Sequence, residues 1–204
     1  MFTGIIKKVS RIENVFREKG SLFIEIEKPK DWKIWLGESI SINGVCSTVK
    51  KMTKNNFTVE YMPETVKKTT VESYARGSGV NLEKSMRMSD LLDGHLVQGH
   101  IDTRGKVIDI KKVKKSVVMK FKVPAKFMKL IAPKGSVSID GISLTIIDTG
   151  KNWFTVSLVS YTLENTNLGS IKKGNEANIE TDVFAKYVYN ILKHKYAKGQ
   201  KTRR

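Results

Sequence analysis

The chain repeats itself with only small changes. SINGVCSTV at residues 41–49 returns as SIDGISLTI at residues 138–146, so that Gly44 and Gly141 lie 97 positions apart. The same offset aligns residues 39–84 with the later copy without a gap. A second, shifted match joins FTGI near the N-terminus to VQGH, which places the start of the second copy near residue 95. Two copies are too few for a solenoid, so the repeat predicts two similar domains in tandem.

Composition narrows the class of protein further. The 204 residues are 40% hydrophobic and 28% charged, which is ordinary for a globular chain with a packed core. The longest apolar runs fall well short of the roughly 20 residues that span a bilayer. The N-terminal stretch MFTGIIKKVSRI lacks the long apolar region of a signal peptide. These features predict a cytoplasmic protein without a membrane partner.

A net charge of +17 raises the possibility of a nucleic-acid partner. The positive residues are spread along the chain, with local runs at Lys111–Lys115 and in the tail Lys193–Arg204. No aromatic RNA-binding signature and no zinc-finger spacing accompanies them. A solvated surface and a basic tail explain the charge more simply, so nucleic acid is the less favoured partner.

Short strands dominate the sequence pattern in both copies. SISING and SVSIDG alternate polar and apolar residues, and NNFTVEYM and NWFTVSLV are β-branched and aromatic runs. Such strands at close spacing favour an antiparallel barrel or sandwich. A helical pattern appears mainly from Asp182, a residue that can cap a helix, and it places Phe184, Val188, Ile191 and Leu192 on one face. That helix either packs on its own domain or pairs with another subunit.

Several residues in the repeat could carry chemistry. Asn43-Gly44 and Asp140-Gly141 favour hairpin turns. Cys46 is the only cysteine, which excludes an internal disulfide, and one cysteine with three histidines is too few for most structural zinc sites. No metal is therefore expected. A lone cysteine is most often a buried small hydrophobe, whereas a thiolate nucleophile would need a lowered pKa, and the residues leave both readings open.

The stretch GHLVQGHID holds two of the three histidines. His95 and His100 are five residues apart, so in a strand they would face opposite sides and would not chelate a metal together. A histidine in such a place is usually a hydrogen-bonded structural residue.

Eight motifs together resemble a known family. MFTGII, NGVCSTV, MPETVKKTT, VNLEKS, GHLVQGHID, DGISLTI, TLENTNLGS and NIETD occur in the order and at the spacing of the α-type, two-barrel riboflavin synthases. The resemblance covers nearly the whole chain before the basic tail. It implies an all-β fold, a tandem pair of homologous six-stranded Greek-key β-barrels with a C-terminal α-helix. The implied domains are an N-terminal lumazine-binding barrel at 1–94, a C-terminal lumazine-binding barrel at 95–183, and a trimerisation helix with the basic tail at 184–204.

The same resemblance implies an activity. Members of the family are transferases that dismutate two molecules of 6,7-dimethyl-8-ribityllumazine into riboflavin and 5-amino-6-ribitylaminouracil, the final step of riboflavin biosynthesis. They need no cofactor, they form homotrimers, and their site lies between the N-barrel of one subunit and the C-barrel of another. Lumazine synthase is a further candidate partner.

Residue by residue, the resemblance implies two binding sets and one catalytic set. The substrate-binding set of the N-barrel is Cys46, Ser47, Thr48, Glu60, Tyr61, Met62, Pro63, Glu64, Thr65, Gly99, His100 and Ile101. The substrate-binding set of the C-barrel is Gly4, Ile5, Ile6, Ser143, Leu144, Thr145, Ser157, Leu158, Val159, Ser160, Tyr161 and Thr162. Phe2 and Lys134 complete the binding residues, and Lys134 is expected to reach the lumazine held by another subunit's N-barrel. The catalytic candidates are His100, Ser143, Cys46, Thr145, Ser41 and Asp182.

A reaction between two copies of one substrate accounts for a duplicated chain. The two lumazines have different roles, donor and acceptor, so the copies must differ where the chemistry happens. Cys46 against Ser143 is one such difference, and Lys134 against the uncharged Leu36-Gly37 is another. The alternative is a non-catalytic lumazine- or flavin-binding relative with the same two barrels. Retention of Cys46, His100 and Lys134 argues against that alternative.

Overall fold

Each copy of the repeat forms six antiparallel strands that close into a barrel. The computed structural model describes residues 1–199, with side chains described through residue 195. The strands of the first barrel are β1 (Lys8–Glu18), β2 (Ser21–Glu27), β3 (Ser39–Ile42), β4 (Val45–Met52), β5 (Asn56–Tyr61) and β6 (Gly79–Lys84). They are hydrogen-bonded in the closed order β1-β2-β5-β4-β3-β6. The short helix α1 (Pro63–Lys68) and a 3-10 helix (Thr70–Ser73) connect β5 to β6.

The second barrel repeats this arrangement. Its strands are β7 (Thr103–Val113), β8 (Ser116–Lys122), β9 (Ser136–Ile139), β10 (Ile142–Thr149), β11 (Trp153–Leu158) and β12 (Glu176–Thr181), closed in the equivalent order. Helix α2 (Ser160–Asn165) and a 3-10 helix (Asn167–Gly169) connect β11 to β12. In both barrels three consecutive strands pair in turn and the strand before them returns to the far side, which is a Greek key. The predicted tandem pair of six-stranded Greek-key barrels is confirmed.

The two offsets in the sequence match have a structural cause. β1 and β2 lie 95 positions before β7 and β8, whereas β3 to β6 lie 97 positions before β9 to β12. The two additional residues fall between β8 and β9, where the second barrel inserts a 3-10 helix (Ala125–Leu130). The shift therefore comes from one loop, and the strands themselves are conserved in length.

Alternation along the strands fills the interior of each barrel. In β5, Phe57, Val59 and Tyr61 are buried and the residues between them are only partly covered. The second barrel has a separate core, in which the rings of Phe121 and Phe154 stack with centroids 5.7 Å apart. Closure pairs every strand on both sides, so neither barrel leaves an open sheet edge.

The two predicted hairpin turns also join the barrels. Asn43 and Gly44 have φ angles of 44° and 79°, and Asp140 and Gly141 have φ angles of 45° and 82°, as a type I′ turn requires. The turns meet each other, because a Cβ added to Gly44 would lie 2.6 Å from the amide nitrogen of Gly141. Glycine is therefore needed at both tips for the turn and for the close approach of two backbones.

Buried amides cross the contact between the barrels. Asn81 of β6 donates from Nδ2 to the carbonyl of Asp140 at 2.9 Å, and Asn178 of β12 donates to the carbonyl of Asn43 at 2.9 Å. Asn81 and Asn178 are fully buried and are equivalent residues of the two copies. Each barrel thus satisfies a turn carbonyl of the other, which fixes the barrels about a local two-fold axis.

The leading segment of each copy lies against the opposite barrel. Phe2 and Val97 form an isolated antiparallel bridge, with N···O distances of 2.7 and 3.1 Å. Beyond this bridge, the carbonyl of Gly4 accepts from the amide of Ser143 in the second barrel at 2.8 Å. The carbonyl of Gly99 accepts from the amide of Cys46 in the first barrel at 3.0 Å. The first residues of each copy therefore lie against the barrel of the other copy. We call these two stretches, residues 2–4 and 97–99 with the residues that follow them, the exchanged segments.

The chain ends in the predicted helix, α3 (Val183–Gly199). Its cap is Asp182, whose Oδ1 accepts from the amide of Phe184 at 2.9 Å. The helix begins at residue 183, one residue before the predicted boundary of 184. Residues 200–204, the end of the predicted basic tail, lie outside the described residues. None of the described helices combines the length and the apolar character that crossing a bilayer demands.

Candidate active site

Strand alternation sorts the predicted site residues on β4 and β10 into two sets. Cys46 and Thr48 face outward from the first barrel, whereas Ser47 lies inside it at 2% exposure. Ser143 and Thr145 face outward from the second barrel in the same way. Outward-facing small polar side chains beside exchanged backbone segments can bond a planar polar ring without entering the core.

A cavity of about 250 Å³ opens at the outer face of the first barrel. It is lined by Val45, Cys46, Glu64, Thr65, Lys68, Thr69, Gly99, His100 and Ile101. Gly99 packs directly on Cys46, because a Cβ at Gly99 would lie 2.6 Å from the Cβ of Cys46. The cavity thus combines β4, α1 and the exchanged segment of the second copy. A larger cleft elsewhere, of about 620 Å³ between Glu13 and Lys54, is lined mainly by charged surface residues.

One buried carboxylate holds the exchanged segment at this cavity. Glu180 of β12 is 1% exposed and accepts from the amides of Gln98, Gly99 and His100 at 2.8, 2.9 and 3.1 Å. Three backbone donors fix the segment against the strand. Burial nevertheless raises the pKa of the Glu180 carboxyl to about 7, since desolvation outweighs the bonds that favour the charged form.

The first copy has the same device at Glu83. Its carboxylate accepts from the amide and hydroxyl of Thr3, both at 2.7 Å, and from the amide of Gly4 at 3.1 Å. Burial raises the pKa of Glu83 as well. The two carboxylates place Gly4 and Gly99 at equivalent points, one beside Ser143 and one beside Cys46.

A serine–histidine pair marks the site of the second barrel. The imidazole Nδ1 of His95 lies 2.7 Å from Oγ of Ser143, and Nε2 is buried with no partner among the described residues. Burial lowers the pKa of His95, opposed by the nearby carboxylate of Asp182. The imidazole is therefore neutral near pH 7, so it can accept the proton of the Ser143 hydroxyl.

Lys134 adopts a left-handed backbone conformation in the second barrel. Lys134 has a φ of 68°, and its counterpart Gly37 has a φ of 81°. Both amides make the same bond, to the carbonyls of Ile146 and Val49 at 2.8 and 2.9 Å. A left-handed backbone costs a lysine about 1–2 kcal/mol. The backbone is the same in both copies and does not require a lysine here. The exposed lysine is therefore a difference between the copies.

Comparison with known proteins agrees with this geometry. A family model described as the lumazine binding domain matches residues 3–85 and again residues 98–182. The chain is 39% identical to the riboflavin synthase of Actinobacillus pleuropneumoniae, over 99% of this chain and 94% of that protein. It is 38% identical to the riboflavin synthase of Bacillus subtilis, over 94% of this chain and 90% of that protein. The chain belongs to the riboflavin synthase family. The predicted family and the predicted enzyme class are confirmed.

Solved structures share the fold of this riboflavin synthase family member. LumP in complex with riboflavin superposes with a TM-score of 0.83 at 23% identity, covering 89% of this chain and 99% of that chain. LumP in complex with 6,7-dimethyl-8-(1'-D-ribityl) lumazine gives a TM-score of 0.80 at 22% identity, with the same coverage. At these identities the likeness concerns the two-barrel fold alone.

The structure brings only part of the predicted N-barrel set to the cavity. Cys46, Glu64, Thr65, Gly99, His100 and Ile101 line it. Tyr61 is buried inside the barrel, where its hydroxyl lies 2.7 Å from Oγ of Ser47. Glu60 instead contacts Lys50, which lowers its pKa, in a separate shallow groove. The remaining predicted residues Thr48, Met62 and Pro63 are exposed near this end of the barrel.

The predicted C-barrel set divides in the same way. Leu144 and Leu158 are core residues, and Phe2 is fully buried at the bridge between the copies. The partly covered members are Ile5, Ile6, Ser143 and Thr162, and the exposed members are Thr145, Ser157, Val159, Ser160 and Tyr161. Ser41, a catalytic candidate, is 1% exposed, and its Oγ lies 3.3 Å from where a Cβ of Gly141 would be. Ser41 thus faces the other barrel's turn.

Three residues that sequence reasoning did not select belong to these sites. His95 was interpreted as structural, yet it is bonded to Ser143. Glu180 accepts a hydrogen bond from the amide of His100. The sequence signal for this residue was that a glutamate recurs at the same place in both copies, in VNLE and in NIE. Lys68 lines the cavity and pairs with Glu64 at 2.9 Å. Among the side chains described, no three His, Cys, Asp or Glu groups converge as a metal site would require.

Proposed function

We propose that this protein is a riboflavin synthase. Two molecules of 6,7-dimethyl-8-ribityllumazine react, one transferring a four-carbon unit to the other, to give riboflavin and 5-amino-6-ribitylaminouracil. The observation that carries the proposal is the pair of equivalent but unlike sites, one beside Cys46 and one beside the His95–Ser143 pair. A dismutation needs two places for one substrate and different chemistry at each.

The N-barrel cavity would hold one lumazine against backbone. Gly99 and Thr65 form part of its walls, and Cys46 offers a small polar side chain. Lys68 and Glu64 form an exposed ion pair at the rim, suited to the hydroxyls of a ribityl chain. A ring held between such fixed walls is oriented before it reacts, and orientation of two reactants can supply about 7–11 kcal/mol of the barrier.

The His95–Ser143 pair would move protons in the C-barrel site. The reaction requires that a ring methyl group lose a proton to give a delocalised anion and that a nucleophile add to the partner ring. Neutral His95 accepts the Ser143 proton through Nδ1 and returns it later, so Ser143 can relay a proton to or from the ring. Thr145 on the same strand face and the cap residue Asp182 are placed to support this exchange.

The complete site would need more than one chain. Helix α3 exposes an apolar face that its own barrel leaves uncovered: Phe184, Tyr187, Val188, Ile191 and Leu192. We therefore propose a homotrimer built on this helix, with the N-barrel of one subunit facing the C-barrel of another and Lys134 reaching across. Such an enzyme would act in the cytoplasm without a cofactor, and lumazine synthase, as the source of the substrate, would be its further partner.

Conversion of lumazine alone tests the proposal. Purified protein is mixed with 6,7-dimethyl-8-ribityllumazine, without metal or nucleotide, and riboflavin is followed by absorbance. One riboflavin formed for every two lumazines consumed supports the dismutation. Tight binding without turnover contradicts it and indicates a non-catalytic lumazine-binding relative.

A further inference from the structure

Asp102 sits where the exchanged segment, strand β12 and helix α3 meet. Its Oδ2 accepts from the amide and hydroxyl of Thr181 and contacts Nζ of Lys186, each at 2.8 Å. The side chains of Asp102 and Lys186 are only 18% and 25% exposed. An ion pair that is covered to this degree and shares its carboxylate with two further donors is held more firmly than a surface pair.

This carboxylate is two residues from His100 at the N-barrel cavity. The amide of Asp102 donates to the carbonyl of Ile179 at 2.9 Å, and the amide of His100 donates to Glu180 at 3.1 Å. Residues 98–102 are thus bonded in succession to residues 179–181. Since β12 leads directly into α3, the cavity wall and the helix share one support.

The first copy lacks this connection. The counterpart of Asp102 is Lys7, and the counterpart of Lys186 is Ser89, both exposed. Lys7 keeps the equivalent backbone bond, to the carbonyl of Leu82 at 3.0 Å. An ammonium group accepts no hydrogen bonds, so Lys7 cannot perform the function of Asp102. The barrel fold therefore does not require the ion pair, which occurs in the copy whose last strand continues into a long helix.

Among the residues whose side chains are described, helix α3 makes few other polar contacts with its own barrel. Tyr189 receives a hydrogen bond from Lys129 at 2.9 Å, with Nζ 4.0 Å from the ring centroid. The apolar residues from Phe184 to Leu192 on its outer face are 46–66% exposed. The position of the helix is thus set by the polar contacts of Lys186 and Tyr189 together with whatever covers that face.

We propose that Asp102 is a positioning residue for the N-barrel site, through which Lys186 of helix α3 sets the place of Gly99, His100 and Ile101. The inference rests on the proposed function. It makes the activity of the cavity depend on the seating of the helix, so that a chain whose helix is not seated has a displaced cavity wall. Asp102 itself does not line the cavity of the N-barrel and remains distinct from the catalytic groups.

Steady-state kinetics of three variants test this connection. Lys186→Met and Asp102→Asn are each expected to lower kcat/KM about tenfold, because small displacements of a site wall weaken orientation of the substrate. The double variant is expected to be no slower than the slower single variant, since both remove one contact. Lys186→Arg, which keeps the charge, is expected to restore most of the rate. The matched control Lys8→Met breaks the exposed Lys8–Asp31 pair of the first copy at 3.0 Å and should leave the rate unchanged.

Several outcomes would overturn the proposal. Unchanged kinetics in both single variants, multiplied losses in the double variant, or no rescue by arginine would each do so. So would a loss accompanied by a changed particle mass in light scattering, because the effect would then arise from assembly. A wild-type protein that forms no riboflavin would refute the proposed function instead, and active wild type with unaffected variants would refute only the role of Asp102.

Discussion

The two barrels share their backbone contacts and differ in the side chains at their proposed lumazine sites. Glu83 and Glu180 hold the exchanged segments in the same way, and Asn81 and Asn178 cross the axis in the same way. Duplication has therefore preserved the carboxylates that hold the exchanged segments and the amides that cross between the barrels. These contacts of Glu83, Glu180, Asn81 and Asn178 form a shared frame, because each barrel is held in place by groups of the other.

Differences appear at equivalent positions around that frame. The first copy has Cys46 where the second copy has Ser143, and it has Gly37 where the second copy has Lys134. The counterpart of His100 is Ile5, so each histidine of the exchanged stretch serves only one site. Two sites with one backbone and two sets of reactive groups suit a reaction in which identical molecules take unlike roles.

The largest expected effect separates the two reactive positions. Ser143→Ala should lower kcat about 10²- to 10⁴-fold, because it removes the proton relay with His95. Cys46→Ala, at the equivalent place in the first barrel, should change kcat only a few-fold in the same assay, because Cys46 acts there as part of the cavity wall. Lumazine binding, measured by fluorescence titration, should be nearly retained in both. Equal losses in the two variants would contradict different roles for the barrels.

The contact between the two turns is the next comparison. Gly44→Ala should lower the free energy of unfolding by about 3 kcal/mol, since the new Cβ meets the backbone of Gly141 and φ is positive. Gly20→Ala is the matched control, because Gly20 has φ of 83° but nothing within 4 Å. It should lose only about 1 kcal/mol from backbone strain. Urea unfolding measures both, and equal losses would show that the tips do not press on each other.

Glu180 gives the stability a pH dependence. Its pKa is raised from an ordinary value of 4.5 to about 7 in the folded chain, so the unfolded chain releases this proton at lower pH. The stabilising effect is complete below pH 4.5 and is lost as pH rises through 7, by about 3 kcal/mol. Urea unfolding between pH 4.5 and pH 8 should show this fall. Glu180→Gln should flatten it, and an unchanged slope in that variant would contradict the assignment.

The interiors of the barrels differ at one polar pair. Ser47 and Tyr61 are bonded inside the first barrel, where the second has Leu144 and Leu158. Ser47→Ala should cost about 1–3 kcal/mol by leaving the Tyr61 hydroxyl unpaired, with KM for lumazine unchanged. Ser47→Leu combined with Tyr61→Leu, which copies the second barrel, should cost less. A raised KM with normal stability would instead place Ser47 in contact with substrate.

Much of the fold follows from the sequence because its signals are local or repeated. The β-branched and aromatic run NNFTVEYM predicts a strand, and the pair Asn43-Gly44 predicts a hairpin turn, since each signal depends on neighbours in the chain. The repeat then requires that both halves share one topology. These predictions succeed without knowledge of how the barrels meet.

Contacts between the two copies cannot be predicted from such local sequence signals. His95 and Ser143 are 48 residues apart, and Glu180 binds a segment about 80 residues before it. Nothing in either stretch alone reveals the partner. The exposed or buried state of Tyr61 was also hidden, because a site residue and a core residue can alternate within one strand. The resemblance supplied the region of the sites, and only packing distinguishes side chains inside a barrel from those at a cavity.

In the proposed enzyme, one chain offers two unlike lumazine sites. Titration calorimetry of the Ser143→Ala variant with 6,7-dimethyl-8-ribityllumazine tests it most directly, because the substrate is then bound without being consumed. We expect two lumazines bound per chain with different affinities. A single lumazine per chain, or two of equal affinity, would contradict it.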